Sequence, residues 1–584
     1  MKFKSFLLVL LVVLLAAFGA VAIAQDDVAR EDTLIFDFDR TVTDPENYNP
    51  YTPAGNTNRG NGAHQAMWEP LFILNYESGE IDPWLATSFE ANDTLDVWTL
   101  NLREGVTWSD GEAFNADDVI YTIEMLLMDE TATLSNATDM QRWVESVEAV
   151  DDLTVQFNLT DPNPRFQVDY FAVRVANSLL IMPEHIWAGE DPTTFTFYDE
   201  EAGLPIGTGP YTLTSTDSTR FVWDRNDEWW GAQAGFNELP EPLRLVWESI
   251  STEDQRVQLI SNNEIDVAQS VSLVAFDVIQ SQNPDVIAWL PELPYSWSDP
   301  CSRQLDINTT VAPWDNANMR EALSLIVDRE EIVDFAYEGT TETSRTMFVQ
   351  YGSMDPFISA IEEAGYGVSS TADVEAAQAL IEGEGWMLDG DFYAMDGETL
   401  SLNVLVNNAS TEYTNTVDVL VEQFIAAGID AAARPVDNAT FWGSAAPTGD
   451  YEVAYGWLSC GSVNEPWASM NRYSTAFLAP VGEPAPGINN TGRWDSEGAE
   501  AYTDLVEEIG SLPLGDPAIT DLVVEAYSYI DAETPIIPLV QASKLLPYST
   551  TYWTGYPTAE NNFNHPAFWW NSAHQIIHNV TKAE

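Results

Sequence analysis

Ninety-three Asp and Glu residues against 22 Lys and Arg mean that a pair of carboxylates suited to glycoside hydrolysis can be drawn almost anywhere along this chain. Such abundance empties each pair of meaning. Ser, His and Asp all occur, but no Gly-x-Ser-x-Gly nucleophile elbow does. The five histidines are His64, His185, His565, His574 and His578. His574 and His578 stand four apart, so one helix face would present both to a metal ion. No Glu lies next to His574 and both are close to the chain end, so neither a metal nor a cofactor is expected. Pro205-Ile206-Gly207-Thr208-Gly209-Pro210-Tyr211 lacks the Gly-Lys-Ser/Thr and the Rossmann spacing that cradle phosphate. Its glycines are expected to be structural.

The segment with most to offer is Tyr451 to Tyr473, YEVAYGWLSCGSVNEPWASMNRY. Val453 to Tyr455 reads as a strand. Small residues from Gly456 to Ser462 would let a ligand approach the backbone. Trp457 and Trp467 bracket them, and Trp442 lies upstream. A second stretch, Asn49 to Gly62, is polar and Gly-rich and contains Asn56 and Asn58, with His64 just beyond. Such a loop is a surface connector or the wall of a cleft.

The elements that must position these stretches are legible around Ile81 to Leu127. Val97, Thr99 and Asn101 alternate with Trp98, Leu100 and Leu102, which predicts a half-buried strand. Ser109-Asp110-Gly111-Glu112 is a tight turn. Asn115 caps a helix with Asp117 and Asp118 in its first turn and Val119, Ile120, Ile123, Leu126 and Leu127 on its apolar face.

At 584 residues the chain holds more than one lobe. Its net charge of −71 excludes nucleic-acid binding, which needs basic patches, and marks a solvated acidic surface. Lys2 and Lys4 precede an apolar run from Phe6 to Ala24 that ends Ala22-Ile23-Ala24. This is a secretory signal cleaved after Ala24; the run is also long enough to anchor in a membrane. The protein is therefore expected in the periplasm or at the outer cell surface. In an exported chain the pair Cys301 and Cys460 is expected to form a disulfide, with two buried thiols as the alternative.

Pro83 to Ala86, Leu102 to Val106 and Asp110 to Val119 resemble, in order and spacing, the signature of the extracytoplasmic solute-binding proteins of family 5, the peptide/nickel importer class. Gly207-Thr208-Gly209-Pro210-Tyr211, Arg256 to Val267, Asn316 to Arg329 and Pro535 to Leu539 extend the resemblance over residues 33–545. It implies an α/β fold of the type II periplasmic-binding-protein kind, with two main lobes joined by hinge crossover strands and a small inserted third lobe. The expected limits are 1–24 for the signal, 25–68 and 196–300 for lobe I, 69–195 for the small lobe II, 301–535 for lobe III, and 536–584 for the return to lobe I and the tail. It also implies a monomeric, non-enzymatic component of an ATP-driven importer that closes around one solute and docks on separate membrane permease subunits.

Peptide-binding members can read Gly-Trp-Cys-Ala-Asp-Tyr-Asn-Glu-Pro in the segment that holds the ligand, the Asp receiving the peptide's amino terminus. Aligned on Cys460 and Asn464-Glu465-Pro466, this chain has Ser462 at that position and two additional residues, Leu458 and Ser459. A buried ammonium without a carboxylate is costly, whereas a neutral sugar needs aromatic faces and neutral hydrogen-bonding groups. Asn56, Asn58, His64, Trp442, Tyr455, Trp457, Ser459, Ser462, Asn464 and Trp467 are the candidate ligand residues. An oligosaccharide is favoured over an oligopeptide, and both remain open. The competing classes are a secreted glycoside hydrolase and a structural surface protein.

Overall fold

The computed structural model describes residues 28–39, 41–53, 55, 62–173, 178–570 and 572–584, with the backbone alone at 173 and 457–459. The expected signal segment and the candidates Asn56 and Asn58 lie outside the described residues, as do the side chains of Trp457 and Ser459. No helix among the described residues is long and apolar enough to cross a membrane.

The first strand, Thr33–Phe38, lies parallel to Arg244–Ser249, at the edge of a four-stranded sheet completed by Arg220–Arg225 and Tyr211–Thr216. Leu34, Phe36 and Phe38 face one core beside Trp247 and Phe221. Ile35 faces another, with Val246 of the neighbouring strand and Ile260, Phe276 and Ile279 from two covering helices. Burial on both faces explains an apolar run without alternation.

The small lobe is an antiparallel sheet in the order Ala86–Ala91, Val97–Leu102, Thr154–Leu159, Val144–Asp151. Trp98, Leu100 and Leu102 are its buried side chains on the second strand, as their alternation predicts. Helix Ala116–Leu127 is fixed by a capping box. Asn115 Oδ1 accepts from the Asp117 amide at 2.7 Å, and Asp118 Oδ2 accepts from the Asn115 amide at 3.1 Å.

In the loop before Tyr211 the glycines serve close packing. A Cβ on Gly207 or Gly209 would fall 2.2 or 2.6 Å from Met67 O, and the Gly209 amide donates to that oxygen. The return to lobe I is thus sealed onto the end of the first segment by backbone contact.

Lobe III is built on a five-stranded sheet ordered Asp430–Val436, Ser401–Asn407, Val453–Ser459, Trp297–Ile307, Ile536–Lys544. Val404, Val406, Val453 and Tyr455 face a core capped by helices Ala317–Ile326 and Thr411–Ala427. Leu405 and Ala454 point to the opposite face. The second of these helices begins at Thr411. Its first turns are polar because they border a cleft rather than the core. Asp396 and Gly397, with φ of 54° and 90°, form a hairpin turn.

The last two strands of this sheet are the crossovers between the main lobes. The architecture is the α/β, two-lobed, type II arrangement with a small inserted lobe that the sequence implied. The tail packs into lobe I, where Phe568, Ile576, Ile577 and Val580 are buried.

Candidate functional site

Trp297–Ile307 pairs antiparallel with Ile536–Lys544 on one edge and with Val453–Ser459 on the other. Its register slips between Asp299 and Arg303, so Cys301 occupies a bulge that re-aims the strand. Cys301 is disulfide-bonded to Cys460, their Cα atoms 4.3 Å apart. Cys460 directly follows the strand Val453–Ser459, so the bond fastens the candidate ligand segment to the hinge. Asp299 braces the bulge: its carboxylate accepts from the Cys301 amide at 3.0 Å and from Trp570 Nε1 at 3.1 Å.

Beyond the disulfide, Gly461 turns the chain at φ 103°. Ser462 is buried and committed within its own turn. Its hydroxyl donates to Pro466 O at 2.8 Å and accepts from the Ser469 amide at 2.9 Å. The expectation that Ser462 presents a free hydroxyl to a ligand is corrected by these bonds. Glu465 and Trp467 also differ from a ligand-facing role. Arg165 of the small lobe reaches Glu465 with two nitrogens, Nε to Oε1 at 3.3 Å and Nη2 to Oε2 at 3.1 Å. The two side chains are 1% and 4% exposed. The Arg165 guanidinium lies 5.1 Å over the Trp467 ring, and that ring is pressed against Gly510, where an added Cβ would meet Trp467 Nε1 at 2.5 Å. Trp467 is therefore part of a contact between lobes.

Three further candidates fall elsewhere. Tyr455 is fully buried, with its hydroxyl 3.2 Å from that of Tyr337 and 3.4 Å from Thr416 Oγ1. Trp442 is half-buried on the opposite face of the same sheet, its ring 4.8 Å from that of Phe441. The sheet thus separates Trp442 from Tyr455, because successive strand residues point to opposite faces. His64 is buried among aromatic rings of lobe I, 4.9 Å from Tyr48 and 5.2 Å from Trp68. Of the described candidates, Asn464 stays polar and half-buried, with a buried Oδ1 that meets no hydrogen-bond donor.

The charged groups that border the site carry no local sequence signal. Arg303 Nε donates to Glu412 Oε1 at 2.6 Å, and the Tyr337 hydroxyl donates to the same oxygen at 2.7 Å. Burial would raise the Glu412 carboxyl, but Arg303 and Lys544 outweigh it and hold the group below its ordinary value. Beside this network a cleft of about 600 Å³ separates the main lobes. Ser270, Val274 and Lys544 line one wall and Phe335, Tyr337 and Glu412 the other. The described residues that could hold a metal ion, Glu69, His574 and His578, lie apart from these walls.

Asp306, on the crossover strand, is buried and pushed up to about 7 by desolvation, against the opposing pull of Gln304, Arg472 and Tyr473. Its folded value lies above the unfolded one. The protonated group therefore contributes stability that is full below about pH 4 and lost as pH rises through about 7. Asp306→Asn removes this dependence. Relative to the parent, the variant is expected to gain about 3 kcal/mol of unfolding free energy between pH 5 and pH 8. Urea unfolding of both proteins at the two pH values reads the difference; a gap that stays constant with pH would show that Asp306 titrates normally.

The family profile "Bacterial extracellular solute-binding proteins, family 5 Middle" matches residues 80–477. A nickel-binding periplasmic protein of Escherichia coli is 27% identical over 379 residues, covering 62% of this chain and 64% of the relative. A glutathione-binding protein of Pectobacterium atrosepticum is 25% identical over 260 residues, 44% of this chain and 45% of the relative. Both matches span less than two thirds of the relative's length. Among solved structures, a periplasmic oligopeptide-binding protein of Thermotoga maritima with bound mannohexaose superposes with a TM-score of 0.73 at 21% identity, covering 95% of this chain and 100% of that one. NikZ of Campylobacter jejuni, in complex with Ni(L-His), gives 0.70 at 18% identity, covering 94% and 100%. These structures share the fold. With the profile spanning most of the chain and the crossover strands in place, this protein belongs to the bacterial extracellular solute-binding proteins of family 5.

Proposed function

We propose that the protein captures a solute outside the cytoplasm and delivers it to the membrane subunits of an ATP-driven importer. The observation that carries this reading is the hinge. Two antiparallel crossover strands connect the main lobes, and the disulfide ties the segment Tyr455 to Asn464 to one of them. Rotation about such a pair opens and closes the lobes with little other change. In this reading the chain is exported, cleaved after Ala24, works as a monomer, and divides at the limits expected from the sequence.

The ligand we favour is a neutral oligosaccharide. Position 462 has no carboxylate, and Glu465, which could replace it, is already neutralised by Arg165. A peptide's ammonium would then enter without a partner, at a cost of several kcal/mol. Calorimetry on unfolded and refolded, ligand-free protein, with one panel of oligosaccharides and one of short peptides, tests this. Oligosaccharides are expected to bind, and Trp457→Ala to lose about 1–3 kcal/mol of affinity if that ring is a central anchor. Binding of peptides alone would overturn the ligand class and leave the transport role. An unchanged affinity in Trp457→Ala would move the site elsewhere.

A further inference from the structure

His574 and His578 project from helix Ala573–Asn579 into a space bounded by aromatic rings. The His574 ring lies 4.3 Å from that of Trp84, and the His578 ring 5.0 Å from that of Trp229. All four imidazole nitrogens are buried and none has a hydrogen-bond partner. His574 is 3% exposed. Leaving such groups dry and unsatisfied costs about 1–3 kcal/mol each, and a native interior seldom tolerates several together without an ion or water to join them. Into the same space comes Glu69, from the point where the chain leaves lobe I, 3% exposed. One nitrogen from each histidine and one Glu69 oxygen lie within 4.8 Å of one another.

We propose that Glu69, His574 and His578 form a binding site for a divalent transition-metal ion of the zinc type, held as a resident structural ion and distinct from any transported solute. Two imidazoles and a carboxylate are a donor set that zinc accepts, with a fourth position left for water. Tetrahedral bonds of about 2.0–2.1 Å place donor atoms about 3.4 Å apart. His574 Nε2 is 3.9 Å from Glu69 Oε1, so small side-chain rotations close the site. The carboxylate is already oriented as a metal ligand would be. Trp84 Nε1 donates to one of its oxygens at 2.9 Å and Trp230 Nε1 to the other at 2.8 Å. The ion would pin the tail helix to the point where the chain leaves lobe I.

The test uses the mature full-length protein, stripped with a chelator and titrated with zinc against a chromophoric competitor. Excess magnesium occupies the acidic surface. One tight equivalent is expected, with a rise in the thermal midpoint. His574→Gln and Glu69→Gln are each expected to weaken zinc binding at least about tenfold. Cobalt substitution supplies a readout that does not depend on stability: the intense visible absorption of a four-coordinate ion, lost in both variants. Zinc uptake by the parent no greater than that of a folded His574→Gln/His578→Gln protein would overturn the site. So would a cobalt spectrum typical of six-coordinate surface carboxylates.

Discussion

Reduction of the Cys301–Cys460 bond is expected to lower the unfolding free energy of lobe III by about 5 kcal/mol. The two residues are 159 apart in sequence, and closing a loop of that length removes about 5 kcal/mol of chain entropy from the unfolded state in the loop-closure account. The location adds to the effect. The bond joins a bulge in a crossover strand to the end of the neighbouring strand, so its loss also frees the turn through Gly461 and Ser462. Denaturant unfolding of the oxidised protein, of the reduced protein and of Cys301→Ala/Cys460→Ala reads this directly. Alkylation without reductant is expected to label no thiol. A midpoint that shifts by less than about 1 kcal/mol on reduction would mean that the surrounding sheet carries the constraint by itself.

Arg165→Ala is expected to cost about 3–5 kcal/mol, because it strands the Glu465 carboxylate in a dry contact between the small lobe and lobe III. Arg165 has further ties there, with Nη1 donating to Gly510 O at 2.8 Å and to Leu512 O at 3.3 Å. The whole side chain works as a bolt through the junction. Replacing both ends, as Arg165→Met/Glu465→Met, removes the unpaired charge and is expected to restore most of the loss. A double-mutant cycle by urea unfolding checks the coupling, and hydrogen exchange at 163–171 and 463–471 shows where the junction loosens. If the double variant is no more stable than Arg165→Ala, the ion pair is not what holds the lobes together.

Much of this arrangement was legible in the residues themselves. Alternation at Val97 to Leu102 and the Asn115 cap act over a few residues, and each produced the element its pattern demands. The glycines of the loop before Tyr211 read as structural, but their cause, the close approach of the Met67 carbonyl, is not visible locally. The ligand segment was harder. Tyr455, Ser462 and Trp467 have the composition of a binding surface, yet two are core or turn residues and one serves a lobe contact. A side chain's type shows what it can bond, and its neighbours decide what it does bond.

The sequence alone determined the family, through motifs in chain order, and named the candidate cysteine pair; the α/β class and the crossover strands came as what that resemblance implies. Only the tertiary structure decided the partnerships of buried charge. No acid stands next to His574 or His578 in the sequence, and Glu69 reaches them from the opposite end of the chain. Glu465 belonged to a ligand motif, and the fold gives it to Arg165, 300 residues away. Burial makes an unpaired charge so costly that each must find a partner. Which partner it finds depends on which distant segments the fold brings together, and no local spacing encodes that.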